Sequence, residues 1–390
     1  MRARSAAAGL ALAASILAAG CGSAARTGSG APGHSPPTAP ALLATSLTTA
    51  AGTWAVAVMG GSAASHNNFW QLFVRPAGTS RWKLVTPPGV ADNGGLVLAD
   101  AGGRSLITAF RPSQYLTFTP LSVTRDSGRA WAVAGPLDAA LADSPDALAA
   151  SPGTQRLLAV LTTGTAKLAD PGYSRWTTLV TRRALAATPA GRRCGLTSLT
   201  AATFTASGEP MLAGSCSRPG TAGIFASQGG AWRPAGPALP TRLAGQRITV
   251  LRLTRTATGL AALLVAGASP TASLVAAWSS STGTGRHWRL SPPVRLGDAE
   301  LTSGSFGPSG SAAIILNGQH AQAIAGPAGR WLSLPALPSG TATLTPGASG
   351  GYSALGVHRA RLSIWQLGPG SGAWQNTQTI KVPIQFGSSG

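Results

Sequence analysis

The sequence predicts an all-β fold, a seven-bladed β-propeller, from three observations. Charged residues make up only 10% of the 390 residues, whereas glycine occurs 51 times and proline 29 times. Turn residues recur about every 8–12 positions between short apolar runs, and no amphipathic helical period extends beyond the first twenty residues. Tryptophans that follow a turn recur at intervals of 43 to 56 residues, which is typical of a propeller blade with four strands.

The first forty residues predict export and a tether. Arg2 and Arg4 precede an apolar run that is too short to span a bilayer comfortably. The run ends in Leu-Ala-Ala-Gly-Cys21, which resembles a bacterial lipobox and implies that Cys21 is acylated and anchors the protein to the bilayer, outside the cytoplasm. Secretion after a small-residue cleavage site is the alternative. We therefore expect a lipoprotein signal peptide over residues 1–20, a disordered tether over 21–40 and the propeller over 41–390.

Seven of the eleven tryptophans open the last strand, D, of successive four-stranded units. They are Trp82, Trp131, Trp176, Trp232, Trp288, Trp331 and Trp374. The inner strands, A, are expected near residues 42–47, 96–99, 147–150, 196–204, 248–253, 300–306 and 341–344, with strands B and C between each A and D. The tail, residues 379–386, could add or swap a strand, so six and eight blades stay open as alternatives.

One turn, over residues 124–131, reads Thr-Arg-Asp-Ser-Gly-Arg-Ala-Trp. Asp126 is expected to accept hydrogen bonds from the N–H groups two and three residues on, Gly128 to take a positive φ, and Trp131 to bury its ring. This turn resembles the Asp-box of sialidases and related propellers, and residues 281–288 keep a version with glycine at the aspartate position. The resemblance implies a structural role for these residues, without chemistry.

The same resemblance raises an alternative function, a divergent sialidase-like glycoside hydrolase. Sialidases use an arginine triad, an acid/base aspartate and a Tyr–Glu nucleophile pair. Phe-Arg111-Pro matches only part of the family's F-R-I-P motif, and the chain has just two glutamates, Glu209 and Glu300. A binding or scaffolding module, rather than an enzyme, is therefore the main prediction.

Two cysteines remain after Cys21. Cys194 and Cys216 flank a predicted hairpin that turns near Ser207-Gly208, so they face each other across strands A and B. In an oxidising compartment this arrangement predicts a disulfide. Their spacing, without nearby histidine, does not indicate zinc, and no metal or other cofactor is expected.

The net charge of +20, carried almost entirely by arginine, indicates an anionic partner. Export argues against nucleic acid, which leaves an envelope polymer or glycan, lipid headgroups, or a protein bound by a monomeric propeller. B–C connections share a face with D–A connections, where propellers usually bind ligands. The predicted ligand-binding face comprises His66, Asn68, Arg111, Tyr115, Arg218, His320, His358 and Arg359; exposed loop residues without a ligand are the alternative.

Overall fold

The computed structural model describes residues 44–60, 68–87, 95–110, 121–133, 145–151, 153–257, 259–280 and 287–382. The predicted signal peptide and tether, with Cys21, lie outside the described residues. So do His66, Arg111, Tyr115 and most of the second Asp-box-like turn.

The described chain is built from consecutive antiparallel strands in groups of four, with one extra short strand in the fifth group, and we call these groups units 1 to 7. Unit 1 contains β1 (Ser46–Thr49), β2 (Gly52–Gly60), β3 (Asn68–Pro76) and β4 (Lys83–Leu84). Unit 2 contains β5 (Leu96–Gly102), β6 (Ser105–Phe110), β7 (Leu121–Thr124) and β8 (Ala132–Val133). Unit 3 contains β9 (Pro145–Ala150), β10 (Leu157–Leu161), β11 (Thr165–Ala169) and β12 (Trp176–Thr181).

The next two units share one nine-stranded sheet, because Ser215 pairs with Thr249. Unit 4 contains β13 (Leu196–Phe204), β14 (Pro210–Cys216), β15 (Gly223–Gln228) and β16 (Ala231–Pro234). Unit 5 contains β17 (Ile248–Thr256), β18 (Gly259–Ala266), β19 (Ser273–Ser280), β20 (Trp288–Leu290) and the short β21 (Val294–Arg295).

The last two units are separate four-stranded sheets. Unit 6 contains β22 (Leu301–Phe306), β23 (Ala312–Leu316), β24 (His320–Ile324) and β25 (Leu332–Ser333). Unit 7 contains β26 (Thr341–Pro346), β27 (Tyr352–His358), β28 (Arg361–Leu367) and β29 (Gln375–Lys381).

Three short helices lie in D–A connections. α1 (Arg182–Ala187) and α2 (Pro189–Cys194) join units 3 and 4, and α3 (Thr241–Ala244) joins units 4 and 5. The hydroxyls of Thr181 and Thr188 cap α1 and α2 by accepting from backbone N–H groups of their first turns. None of these helices has the length and apolarity that a bilayer crossing demands.

Apolar side chains fill the spaces between neighbouring units and close the ring. Trp54 of unit 1 packs in one cluster with Leu106 of unit 2, and corresponding clusters follow at every later boundary. The last cluster joins Phe73 of unit 1 to Leu355 and Ile364 of unit 7. The predicted all-β, multi-bladed propeller is confirmed. Its count of seven blades stays a prediction, since residues 383–390 lie outside the described residues.

The seven recurring tryptophans pack at these boundaries. Each contacts the cluster between its own unit and the preceding one, with Trp82 in the cluster between units 7 and 1. The indole N–H of Trp288 donates to the Ala235 carbonyl of the preceding unit at 2.7 Å, and that of Trp374 to the Pro335 carbonyl at 3.2 Å. Each interval between the recurring tryptophans therefore corresponds to one boundary between neighbouring units.

The turn at residues 124–131 is held by the Asp126 carboxylate, and one of the two expected donors, the N–H three residues on, is confirmed. Its Oδ1 accepts from the backbone N–H of Arg129 at 2.9 Å and of Ala130 at 3.0 Å, three and four residues on rather than two and three. The shift arises because the Thr124 hydroxyl accepts the Gly128 N–H at 2.9 Å. These donors, the Ala130 N–H first, lower the pKa of Asp126. Gly128 takes the expected positive φ, 81°, and Trp131 packs between units 1 and 2. Membership of the sialidase family stays a prediction.

Candidate binding sites

An arginine-rich surface lies around the cysteine pair, on the face of the B–C and D–A connections. Three segments form it, residues 182–195, 217–220 and 241–247, and we call them together the arginine surface. They contain seven arginines and no aspartate or glutamate: Arg182, Arg183, Arg192, Arg193, Arg218, Arg242 and Arg247. All of these side chains except that of Arg182, which is partly buried, are exposed.

Backbone contacts hold the three segments against one another. The Arg218 N–H donates to the Cys194 carbonyl at 3.1 Å, and the Gly220 N–H donates to the Gln246 carbonyl at 2.9 Å. A Cβ atom on Gly220 would lie 2.6 Å from the Ala244 carbonyl oxygen, so only glycine allows this approach. The 217–220 turn is therefore fixed between the other two segments.

The predicted disulfide is present at the centre of this surface. The sulfur atoms of Cys194 and Cys216 are 2.01 Å apart and the Cα atoms 5.1 Å apart. Cys216 pairs across the hairpin with Leu196, whereas Cys194 is the last residue of α2. The bond therefore ties the helical connection to strand B rather than joining two facing strand residues.

The remaining predicted ligand-binding residues fall in the expected connections. Arg218 follows β14, the B strand of unit 4, and only the backbone position of Asn68, at the start of β3, is described. His320 begins β24, and His358 and Arg359 lie at the B–C turn of unit 7, all three exposed. Arg218 thus belongs to the arginine surface, while the other three lie in units 6 and 7. A single site uniting them stays a prediction.

A cavity of about 620 Å³ opens on the opposite face, at the A–B ends of the inner strands. Residues from units 1 to 6 line it, among them Thr48, Asp100, Arg252, Arg255 and Phe306. Sequence reasoning did not identify this space, because its lining residues are far apart along the chain and meet only when the ring closes.

Arg252 lines this cavity, which the inner strands of units 1 to 6 surround and which we also call the channel. β17 carries a register shift between Val250 and Arg252, and the Arg252 guanidinium donates to the Thr45 hydroxyl. The chain just before β1 crosses toward unit 6, where Ala44 forms a parallel bridge with Ser303. Burial lowers the pKa of Arg252 to about 10, which leaves the side chain protonated at neutral pH. The side chain keeps a partly accessible surface and is among those that line the cavity.

Two opposite charges stand at the cavity mouth. Burial raises the pKa of the Asp100 carboxyl, whereas the Gly102 N–H, which donates to it at 2.9 Å, and the charge of Arg255 act in the opposite direction. Asp100 and Arg255 carry opposite charges, so with Arg252 the three charged residues of the lining leave the cavity with a net positive charge.

Catalytic and metal centres find no support in the described residues. No three His, Cys, Asp or Glu side chains of the described part are grouped as a metal ion would require. Glu209 lies in the A–B turn of unit 4, whereas Glu300 immediately precedes β22 at the other end of the inner strands. Tyr173 packs in the core between units 2 and 3. A sialidase-like constellation is not favoured by this placement.

Comparisons with known proteins support the fold. No family model matches this chain, and no curated protein matches it. A GH74 xyloglucanase from Xanthomonas campestris superposes with a TM-score of 0.50 at 12% identity, over 84% of this chain and 52% of the other. A protein from Lactobacillus plantarum gives 0.50 at 10% identity over 85% and 96%. YCF48 from Cyanidioschyzon merolae gives 0.47 at 15% identity over 84% and 93%. At such identities the first two likenesses show the propeller fold alone.

Proposed function

We propose that this protein is a binding module, anchored outside the cytoplasm through an acylated Cys21, whose arginine surface holds an anionic polymer of the cell envelope. The observation that carries the proposal is the contact between three segments that contain seven arginines and no acidic residue. Guanidinium groups bind carboxylates and phosphates bidentately, so both kinds of polymer suit this surface.

A polymer is favoured over a small anion by the exposure of these arginines. A single exposed charge pair contributes only about 0–1 kcal/mol, so one anionic group would bind weakly here. A chain with regularly spaced charges would contact several arginines at once, and the fixed backbone of the surface keeps those arginines in place. Binding by exposed charges weakens as salt increases, because ions screen charges beyond about 10 Å at 0.1 M.

The arginine surface is tested by replacing Arg193, Arg218 and Arg247 together with serine. We expect the affinity of the full chain for polyphosphate or poly-glutamate to fall about tenfold, since each of the three lost pairs contributes about 0.5 kcal/mol.

The matched control replaces Arg129, Arg289 and Arg330, three exposed arginines of other units, and changes the net charge equally. Affinity is measured by fluorescence anisotropy at two salt concentrations. Equal losses in both variants would show that the net charge, rather than a surface, attracts the polymer. If the protein bound phosphatidylglycerol vesicles but neither polymer, the ligand of the arginine surface would be a lipid surface rather than a polymer.

The anchor is tested separately. Cys21→Ser removes the thiol that acylation requires, so we expect it to abolish labelling by a metabolic fatty-acid probe and to move the protein out of the membrane fraction. Wild type carried through the same labelling is the control. Undiminished labelling of Cys21→Ser would contradict the anchor and leave the binding proposal untouched.

A further inference from the structure

We propose that the cavity at the A–B end of the channel is a second binding site, in which Arg252 holds the carboxylate or phosphate group of a small ligand. This site lies on the opposite face from the arginine surface and does not depend on the function proposed for that surface.

Arg252 carries a positive charge that no acidic residue of the described part pairs. A guanidinium has five N–H donors, and the hydrogen bond described for Arg252 is the one to the Thr45 hydroxyl. No carboxylate of the described residues forms an ion pair with Arg252, and burial alone perturbs its pKa. Arg252 is only partly accessible, and a charge that is withdrawn from water is costly unless it is paired, so an anion that enters the channel gains the interaction that the protein does not supply.

The guanidinium of Arg252 is already held in position. Thr45, which accepts from it, is buried and donates its own hydroxyl to the Gly304 carbonyl at 3.1 Å. The next residue, Ser46, donates its N–H to the Ser305 hydroxyl at 3.0 Å. Units 1, 5 and 6 therefore fix Arg252 jointly. A ligand would not have to order this side chain, whose immobilisation normally reduces affinity.

The cavity indicates the size and chemistry of the ligand. A volume of about 620 Å³ lies within the range of 300–1,000 Å³ that is usual for small-molecule sites. The hydroxyls of Thr48 and Thr254 and the apolar side chains of Leu148 and Phe306 line it together, which suits a ligand with both polar and apolar parts. Asp100 at the mouth disfavours a second anionic group there. We infer a ligand with one anionic end, beside Arg252, and an uncharged or positively charged remainder toward the mouth.

The test is thermal unfolding of the full chain in sodium phosphate, sodium acetate or sodium chloride at equal ionic strength. An anion at ten times its dissociation constant should raise the melting temperature of wild type by about 2 °C over chloride, as expected for a domain of this size. The phosphate and acetate arms distinguish the two head groups. The rise in melting temperature should be absent from Arg252→Gln. It should be present in Arg289→Gln, whose substituted side chain is exposed.

Two further variants separate this site from the arginine surface and from misfolding. The triple serine variant of the arginine surface should keep the rise, because it leaves the channel unchanged. Thr48→Trp narrows the cavity while retaining Arg252, and it should also lose the rise, which keeps the proposal testable if Arg252→Gln fails to fold. The proposal would be wrong if neither anion raised the melting temperature of wild type. It would also be wrong if the rise persisted in Thr48→Trp and disappeared in the triple variant.

Discussion

Replacing Trp82 by alanine is expected to lower the free energy of unfolding by about 3–5 kcal/mol, the usual cost of deleting a fully buried aromatic side chain. Trp82 is 1% exposed and lies in the cluster that joins units 7 and 1. The guanidinium of Arg75 stands 5.5 Å from the centre of its ring and adds a cation–π contact. Closure of the ring depends on this boundary, because the chain does not connect units 7 and 1 covalently.

The matched control is Trp131→Ala, at the same position of the next unit. Neither indole N–H has a hydrogen-bond partner within the described residues, so neither substitution removes a side-chain hydrogen bond. Trp131 is partly exposed, and we expect its replacement to lower the free energy of unfolding by less than that of the fully buried Trp82. Urea unfolding followed by far-UV circular dichroism gives both values. Equal losses would contradict a special dependence on the closing cluster.

Hydrogen bonds reinforce the same closure. The Gln378 carboxamide of unit 7 accepts from the Trp82 backbone N–H at 2.8 Å and donates to its carbonyl at 2.8 Å. Neither partner could be paired from sequence, because 296 residues separate them. What the sequence does predict is the tryptophan period, since each repeat must bury one aromatic side chain at the boundary with its neighbour.

Strand positions are predicted well where the pattern is local. The inner strand expected at residues 196–204 is found with those bounds, because Gly195 precedes it and the turn near Ser207-Gly208 follows it. The first inner strand, expected at residues 42–47, is instead β1 at Ser46–Thr49. Residues 42–43 lie outside the described residues, and Ala44 forms a bridge with Ser303 of unit 6 rather than a pair with its own sheet.

The two candidate sites differ in how far the sequence predicts them. The propeller topology predicts that Arg218 lies on a binding face. The structure shows the arginines of the helical connection beside it. Those helices were missed because each has only four to six residues, too few to display a helical period. Arg252 was missed because its hydroxyl partner, Thr45, is 207 residues away. The available signal was a charged residue, Arg252, in the inner strand expected over residues 248–253.

Removing the disulfide by Cys194→Ala together with Cys216→Ala should lower the free energy of unfolding by about 3 kcal/mol, because the bond closes a loop of 22 residues in the unfolded chain. Both side chains are buried, and Gly223 lies so close that a Cβ atom there would be 2.8 Å from the Cys216 sulfur. We expect polymer binding to weaken as well, since the bond joins two segments of the arginine surface. Free-thiol titration of the denatured, unreduced protein should detect neither cysteine.

The alanine pair changes packing as well as the covalent link, so reduced wild type is the appropriate control. Reduction keeps both sulfur atoms and removes only the bond, and it should therefore reproduce most of the loss measured by urea unfolding. If reduced and oxidised wild type were equally stable, the loss in the alanine variant would come from the cavity left by two sulfur atoms. If reduced wild type also bound polyphosphate as tightly as the oxidised protein, the Arg218–Cys194 backbone contact alone would suffice to hold the 217–220 turn against α2. If reduction lowered the affinity for polyphosphate but left the far-UV circular dichroism signal unchanged, the disulfide would act by holding the geometry of the arginine surface.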